Sequence, residues 1–198
     1  MMPSATPRST PFWVPWAISR SWLPWRRPTI CTSSSTACYH VSDDSVYFDR
    51  YYKFLGKSEK IGAYPYWAYV YDAMAEQGMT QAEAEAAAVA FFGENYGITD
   101  FSYTEWFQVS STPMTYADNI GLRAGKPVYS YEGWWGYDSM PVVYSTDGSE
   151  YRTGNWAEEI IEGENSVNAY WISKGMDGWR LDVANEVSER PGRISATA

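Results

Sequence analysis

The clearest periodic stretch is "TQAEAEAAAVAFF", which opens at Thr80 with a T-x-x-E capping box closed by Glu83 and runs on in strong helix formers, predicting a helix that ends near Gly93. Further on, "SVNAYWISKG" predicts a short helix with Ser166 as N-cap and Gly175 as C-cap. The next stretch, "DGWRLDVA", alternates with period two. Extended, it puts Trp179, Leu181 and Val183 on one side and Arg180 and Asp182 on the other. "GKPVYSYEGWWGYDSMPVVYS" reads as two short extended segments around a glycine-punctuated loop. Extended segment, helix and extended segment form a βαβ pattern, which favours a parallel sheet covered by helices. Residues 1–39 carry neither period and are rich in Pro, Ser, Thr, Arg and Trp, predicting no regular structure. The stretch from Gly93 to Gly136 is aromatic, turn-rich and irregular, a long loop too aromatic to be disordered.

A length of 198 residues suits one domain or part of a larger one. Aromatic residues make up 18% of the chain, with 11 Trp and 17 Tyr, which leaves two uses open: an aromatic core, or flat faces against the C–H faces of sugar rings. The formal charge of -9 argues against nucleic acid or an anionic membrane as partner and leaves a neutral substrate unaffected. No apolar run reaches membrane-spanning length, and "FWVPWAISRSWLPW" is too broken by Pro and Arg for a signal-peptide core, so the sequence names no compartment. Cys31 and Cys38 have no metal-ligand partners nearby, and His40 is the single histidine, so neither a zinc site nor a Cys/His pair is expected.

Two charges on one side of a short strand have a chemical use and a plain one. In a closed parallel barrel they face the axis at the C-terminal mouth, where barrel enzymes carry their chemistry. On an edge strand they are a solvated ion pair. The order aromatic, Arg, apolar, Asp in "WRLD" resembles the second conserved motif of the alpha-amylase family, glycoside hydrolase family 13, in its neopullulanase-like and amylopullulanase-like members. By that resemblance Asp182 matches the catalytic nucleophile and Arg180 the arginine that keeps it ionised, as a nearby guanidinium does. Asn185 and Glu186 match the continuation of the motif. "YHVSDDS" resembles text following the family's first motif, keeping His40 as a substrate hydrogen-bond partner but showing Tyr39 where the family has Asn. In "SMPVVYS" only Met140 and Pro141 match the corresponding family stretch.

The resemblance covers about His40 to Ser188 and implies an α/β fold: a partial (β/α)8 TIM barrel with an irregular domain-B-like insertion. Residues 40–188 are then part of a catalytic barrel, with the insertion at about 41–139 and the helix and nucleophile strand at about 156–188. Trp134, Trp135 and Tyr137 are candidates for a glucan-stacking platform, against a hydrophobic plug within the insertion. Asp43, Asp44 and Asp138 are candidate oxygen ligands for calcium, which many family members bind, against the plainer reading of solvated loop carboxylates.

A retaining glycosidase needs two carboxyl groups roughly 5 Å apart. The family takes its acid/base Glu from the next barrel strand, which the resemblance puts beyond residue 198. The unusual ends suggest one cause. With one choice of synonymous codons, "PTICTSSSTAC" read two bases later becomes "DHLYVILDGV", a strand running into the family's first motif, and "RPGRISATA" admits the shifted reading "ETWENFRDG". Residues 1–39 and 189–198 are therefore expected to be frame-shifted. The expected function is a fragment of an alpha-glucan hydrolase acting on starch, pullulan or maltodextrin with retention, inactive as this chain alone. The alternative is a noncatalytic glucan-binding aromatic module.

Overall fold

The computed structural model describes residues 34–37, 41–114, 123–143 and 155–181. Strand β1 is Ser34–Ala37, within the segment for which the sequence pattern predicts no regular structure. Helix α1 spans Ala63–Gln77 and is a missed element. Gly62 enters it in an extended conformation, and Pro65 falls in the first turn, where a missing N–H costs nothing. Gly78 closes it at φ 67°, donating its N–H to the Met74 carbonyl. The amphipathic period is hidden because α1 is covered on two sides. Ala63, Tyr64 and Ala68 enter one core, while Tyr66, Val70 and Ala73 enter another.

Helix α2 is Gln81–Tyr96. Its capping box forms in both directions: the Thr80 hydroxyl accepts from the Glu83 N–H, and the Glu83 carboxylate accepts from the Thr80 N–H. Ala84, Ala88 and Phe92, four residues apart, make the stripe that α1 packs against. The helix runs past the expected end at Gly93. Gly97, not Gly93, takes the left-handed conformation, at φ 68°, and donates its N–H back to the Gly93 carbonyl, while the Ile98 N–H reaches the Phe92 carbonyl.

Strands β2, Val109–Pro113, and β3, Tyr129–Tyr131, pair antiparallel with an irregular register. Over them lies the main core, with Tyr47, Phe48, Tyr64, Trp106, Tyr129, Tyr131 and Trp156 among its rings. Tyr47 stacks on Trp106 with centroids 4.9 Å apart, and Phe48 meets Tyr131 edge-on at 4.6 Å. Much of the aromatic excess is therefore core.

A π-helical turn at Glu158–Glu162 adds Ile160 and Ile161 to that core. Helix α3, Val167–Ser173, follows, with Ser166 capping it by accepting from the Ala169 N–H, as the sequence predicts. Its C-cap is Lys174, and Gly175 takes φ 95° one residue later. Strand β4, Gly178–Leu181, pairs in parallel with β1, Thr36 opposite Arg180. The parallel arrangement is as expected, but among the described residues the partner is β1 rather than the segment around Pro141, which bridges antiparallel to Gly133. Among the described residues β1 and β4 form a two-stranded sheet.

Candidate functional site

Arg180 lies on β4 with an exposed side chain, next to a half-buried Trp179. Asp182 and His40 lie outside the described residues. The alternation of "GWRL" is thus realised as a strand, with Arg180 at its third position and a parallel neighbour alongside.

The three aromatic candidates share one turn. Gly133 and Pro141 bridge antiparallel at its base, and Trp134–Gly136 form a single 3-10 turn at its tip. Within the turn, Trp134 N–H donates to the Met140 carbonyl at 2.8 Å, Gly136 N–H to Gly133 at 2.9 Å, and Tyr137 N–H to Trp134 at 3.0 Å. Trp135 sits at φ 53°, ψ 26°, a left-handed conformation that is an outlier for a bulky residue. The conformation turns its indole outwards: Trp135 is 76% exposed and Tyr137 61%. Trp134 is half-buried, its ring 5.8 Å from that of Trp135 and tilted by 47°. The group is therefore not one coplanar platform of three. Two rings project and the third roots the turn. Gly133 is required sterically, because a Cβ there would lie 2.3 Å from the Tyr137 carbonyl oxygen.

Beneath the turn lies a polar network that the sequence reading does not anticipate. Tyr131, buried in the core, donates its hydroxyl to the Asp138 carbonyl at 2.9 Å and accepts from Arg50 Nη1 at 3.0 Å. Arg50 also reaches Asp43 Oδ2 at 3.4 Å, and the Tyr51 hydroxyl donates to the same oxygen at 2.9 Å. The Asp43 N–H donates to the Ser139 carbonyl at 2.9 Å. Two of the calcium candidates are thus brought into one neighbourhood, Asp43 through its carboxylate and Asp138 through its carbonyl. Asp44 accepts from Lys53 Nζ at 2.8 Å and from the Ser42 hydroxyl at 2.7 Å, and those bonds, Lys53's first, hold its carboxyl below the usual range.

These donor sets do not fit a resident calcium ion. A calcium needs six to eight oxygen ligands, and here Arg50 and Lys53 already supply the positive charge at Asp43 and Asp44. Among the described residues no three His, Cys, Asp or Glu side chains are grouped to hold a metal.

Two further networks tie distant parts of the chain together. Arg123 grips Asp72, and Lys126 bridges Asp72 to Glu76. Lys60 pairs with Glu159 at 2.6 Å over the Tyr103 ring, whose hydroxyl donates to the other Glu159 oxygen at 2.5 Å. Only the fold, with partners 50 to 99 positions apart, makes these charges pairs.

β4 carries Arg180 and leads, in sequence, into Asp182, the stretch on which the resemblance to the alpha-amylase family rests. The chain is 36% identical over 155 residues to an amylopullulanase of Thermoanaerobacter thermohydrosulfuricus, covering 75% of this chain and 8% of that protein. It is 35% identical over 155 residues to an amylopullulanase of Thermoanaerobacterium thermosulfurigenes, covering 75% of this chain and 6% of that protein. A neopullulanase 2 of Thermoactinomyces vulgaris is 32% identical over 95 residues, 48% of this chain and 12% of that protein. The chain thus resembles the alpha-amylase family, in its amylopullulanase-like and neopullulanase-like branches, and spans under a tenth of the length of the amylopullulanases it matches. No family profile matches the chain, and no solved structure does. Among the described residues no helix is long and apolar enough to cross a membrane.

Proposed function

We propose that the chain is a segment of the catalytic domain of an alpha-glucan hydrolase that cleaves O-glycosidic bonds with retention of configuration. The observation that carries this reading is the 36% identity over 155 residues to an amylopullulanase, an alignment that takes in 75% of this chain. In this reading residues 40–188 belong to the barrel, residues 41–139 are its insertion, and residues 1–39 and 189–198 are frame-shifted ends. Asp182 attacks the anomeric carbon, the leaving oxygen takes its proton from an acid on the next strand, and water then releases the sugar from Asp182. Arg180 keeps Asp182 ionised, since a neighbouring guanidinium favours the charged carboxylate. His40 hydrogen-bonds the bound sugar, and Trp135 and Tyr137 offer exposed rings to a glucan. Starch, pullulan and maltodextrin are the candidate substrates. Calcium, if bound in a longer chain, would have to be held by groups other than the paired carboxylates of Asp43 and Asp44.

The test is made on a polypeptide in which the downstream barrel follows residue 188. Incubated with a fluorinated glucosyl substrate, it should carry a covalent sugar on the peptide containing Asp182, because the slowed second step lets the intermediate accumulate. A label on another carboxylate overturns the assignment. The exposed rings of Trp135 and Tyr137 also suit a second reading, a noncatalytic glucan-binding module. It predicts glucan affinity indifferent to Asp182→Ala and no labelling at all.

A further inference from the structure

We propose that Arg50 and Tyr131 are positioning residues for the Trp135–Tyr137 turn, setting the angle at which its two exposed rings meet a glucan chain; the inference rests on reading that turn as a sugar-stacking surface. The hydrogen bonds inside the turn fix its shape. The bonds among Gly133, Trp134, Gly136, Tyr137 and Met140 join the turn only to itself. Among the contacts that orient it on the body, the Asp43 N–H donates to the Ser139 carbonyl and the Tyr131 hydroxyl donates to the Asp138 carbonyl.

The hydroxyl has one proton, and Arg50 determines where it points. Arg50 Nη1 donates to Tyr131 Oη at 3.0 Å, so the phenol acts as acceptor there and its own proton is left for Asp138. Arg50 is fixed in turn by the Asp43 carboxylate at 3.4 Å and by the Tyr51 and Tyr131 rings, its guanidinium carbon lying 5.4 and 5.9 Å from their centroids. The Tyr131 ring is anchored independently against Phe48 and Tyr64, with centroids 4.6 and 6.1 Å away. A rigid chain of contacts therefore runs from the buried core through one phenol to the carbonyl next to Tyr137. The left-handed Trp135 backbone fits the same picture: an exposed ring held in an unfavourable conformation needs a turn that cannot relax. Stacking on sugar gains from rings already in place, since ordering them on binding costs affinity.

The experiment uses the full 198-residue chain and maltoheptaose as probe, with affinity read by titration calorimetry and by the tryptophan ultraviolet difference spectrum. Trp135→Ala should weaken binding about tenfold and remove most of that difference spectrum. Tyr131→Phe keeps the buried ring and removes only the hydroxyl; it should weaken binding about three- to fivefold, with the near-ultraviolet circular dichroism of the core unchanged. Added to Trp135→Ala, it should cost nothing further, because the ring it aims is gone. Arg50→Met should repeat the loss, and Arg50→Lys, which keeps a cation beside Asp43, should restore most of it. Unchanged affinity in Trp135→Ala overturns the stacking surface itself. A loss in Trp135→Ala with none in Tyr131→Phe, or a Tyr131→Phe loss that persists in the Trp135→Ala background, overturns the positioning role and leaves the stacking surface standing.

Discussion

Arg123 holds Asp72 through two hydrogen bonds, Nη1 to Oδ2 at 2.6 Å and Nη2 to Oδ1 at 3.1 Å, closing α1 onto the chain that leads into β3. Lys126 and the Tyr129 hydroxyl donate to the same carboxylate, which is buried. Burial pushes the Asp72 carboxyl up, but the bonds from Arg123, Lys126 and Tyr129 outweigh it and hold it below 3.8.

Removing one partner of this pair strands the other. Asp72→Leu should lower the unfolding free energy by about 3–5 kcal/mol, because Arg123 is left buried without its carboxylate. Urea denaturation of the two proteins measures it. The folded carboxyl titrates below its unfolded value, so its contribution is present above pH 3.8 and is lost as the pH falls through the folded value. The difference between the proteins should therefore shrink in acid, and a difference that is constant with pH would contradict the assignment.

Asp49 should show the opposite sign. It is fully buried, sits at φ 52°, and accepts from the Lys53 and Phe54 N–H groups at 2.6 and 3.1 Å. Burial pushes its carboxyl up to about 6 despite those bonds. Between pH 3.8 and about 6 the folded state binds the proton more tightly than the unfolded chain, so this residue's contribution falls as the pH rises through that window. The total is roughly 3 kcal/mol, at about 1.4 kcal/mol per pH unit. Asp49→Asn should remove the slope, and parallel pH profiles for the two proteins would refute it.

What the sequence reveals is what depends on neighbours along the chain. The T-x-x-E box at Thr80, the Ser166 cap and the alternation of "GWRL" are local, and each is found where the pattern puts it. Helix α1 is not legible, because its apolar residues face two cores and fill the moment that would mark one face. The end of α2 is misplaced by one turn, because two glycines four apart both look like stops and only the φ of Gly97 decides. In the candidate site, the aromatic turn is visible as "GWWG", but its support is not. Arg50 lies 81 positions from Tyr131, and nothing near either residue announces the other. Asp43 and Asp44 look like free loop carboxylates until Arg50 and Lys53 fold onto them.

Gly133→Ala should dismantle the aromatic turn. The added Cβ would meet the Tyr137 carbonyl at 2.3 Å, and backbone cannot give way as a flexible side chain can. The expected result is loss of maltoheptaose binding comparable to that of Trp135→Ala, with the α1–α2 core intact because it lies outside this turn. Calorimetric titration alongside far-ultraviolet circular dichroism separates the two. Full retention of binding would show that the rings do not need this turn.

The last expectation concerns Arg180 in a polypeptide extended through the downstream barrel. Its side chain is exposed on β4, one position before Leu181 and two before Asp182 in sequence. A nucleophilic carboxylate works only when ionised, and the acid limb of kcat/KM reports its titration in the free enzyme. A guanidinium at the adjacent same-side position of a strand favours the ionised form, so taking it away raises the carboxyl's pKa, by about 1–3 units for a close pair. Arg180→Leu should therefore move the acid limb to higher pH, leaving a larger share of activity at alkaline than at acid pH, with the melting temperature little changed. Arg180→Lys should return the limb part of the way, since a cation is restored without the bidentate fork. An activity loss that is uniform across pH would assign Arg180 to substrate contact, and an unchanged profile would remove it from the mechanism altogether, because a cation that sets the charge of the nucleophile must show itself in the titration of that nucleophile.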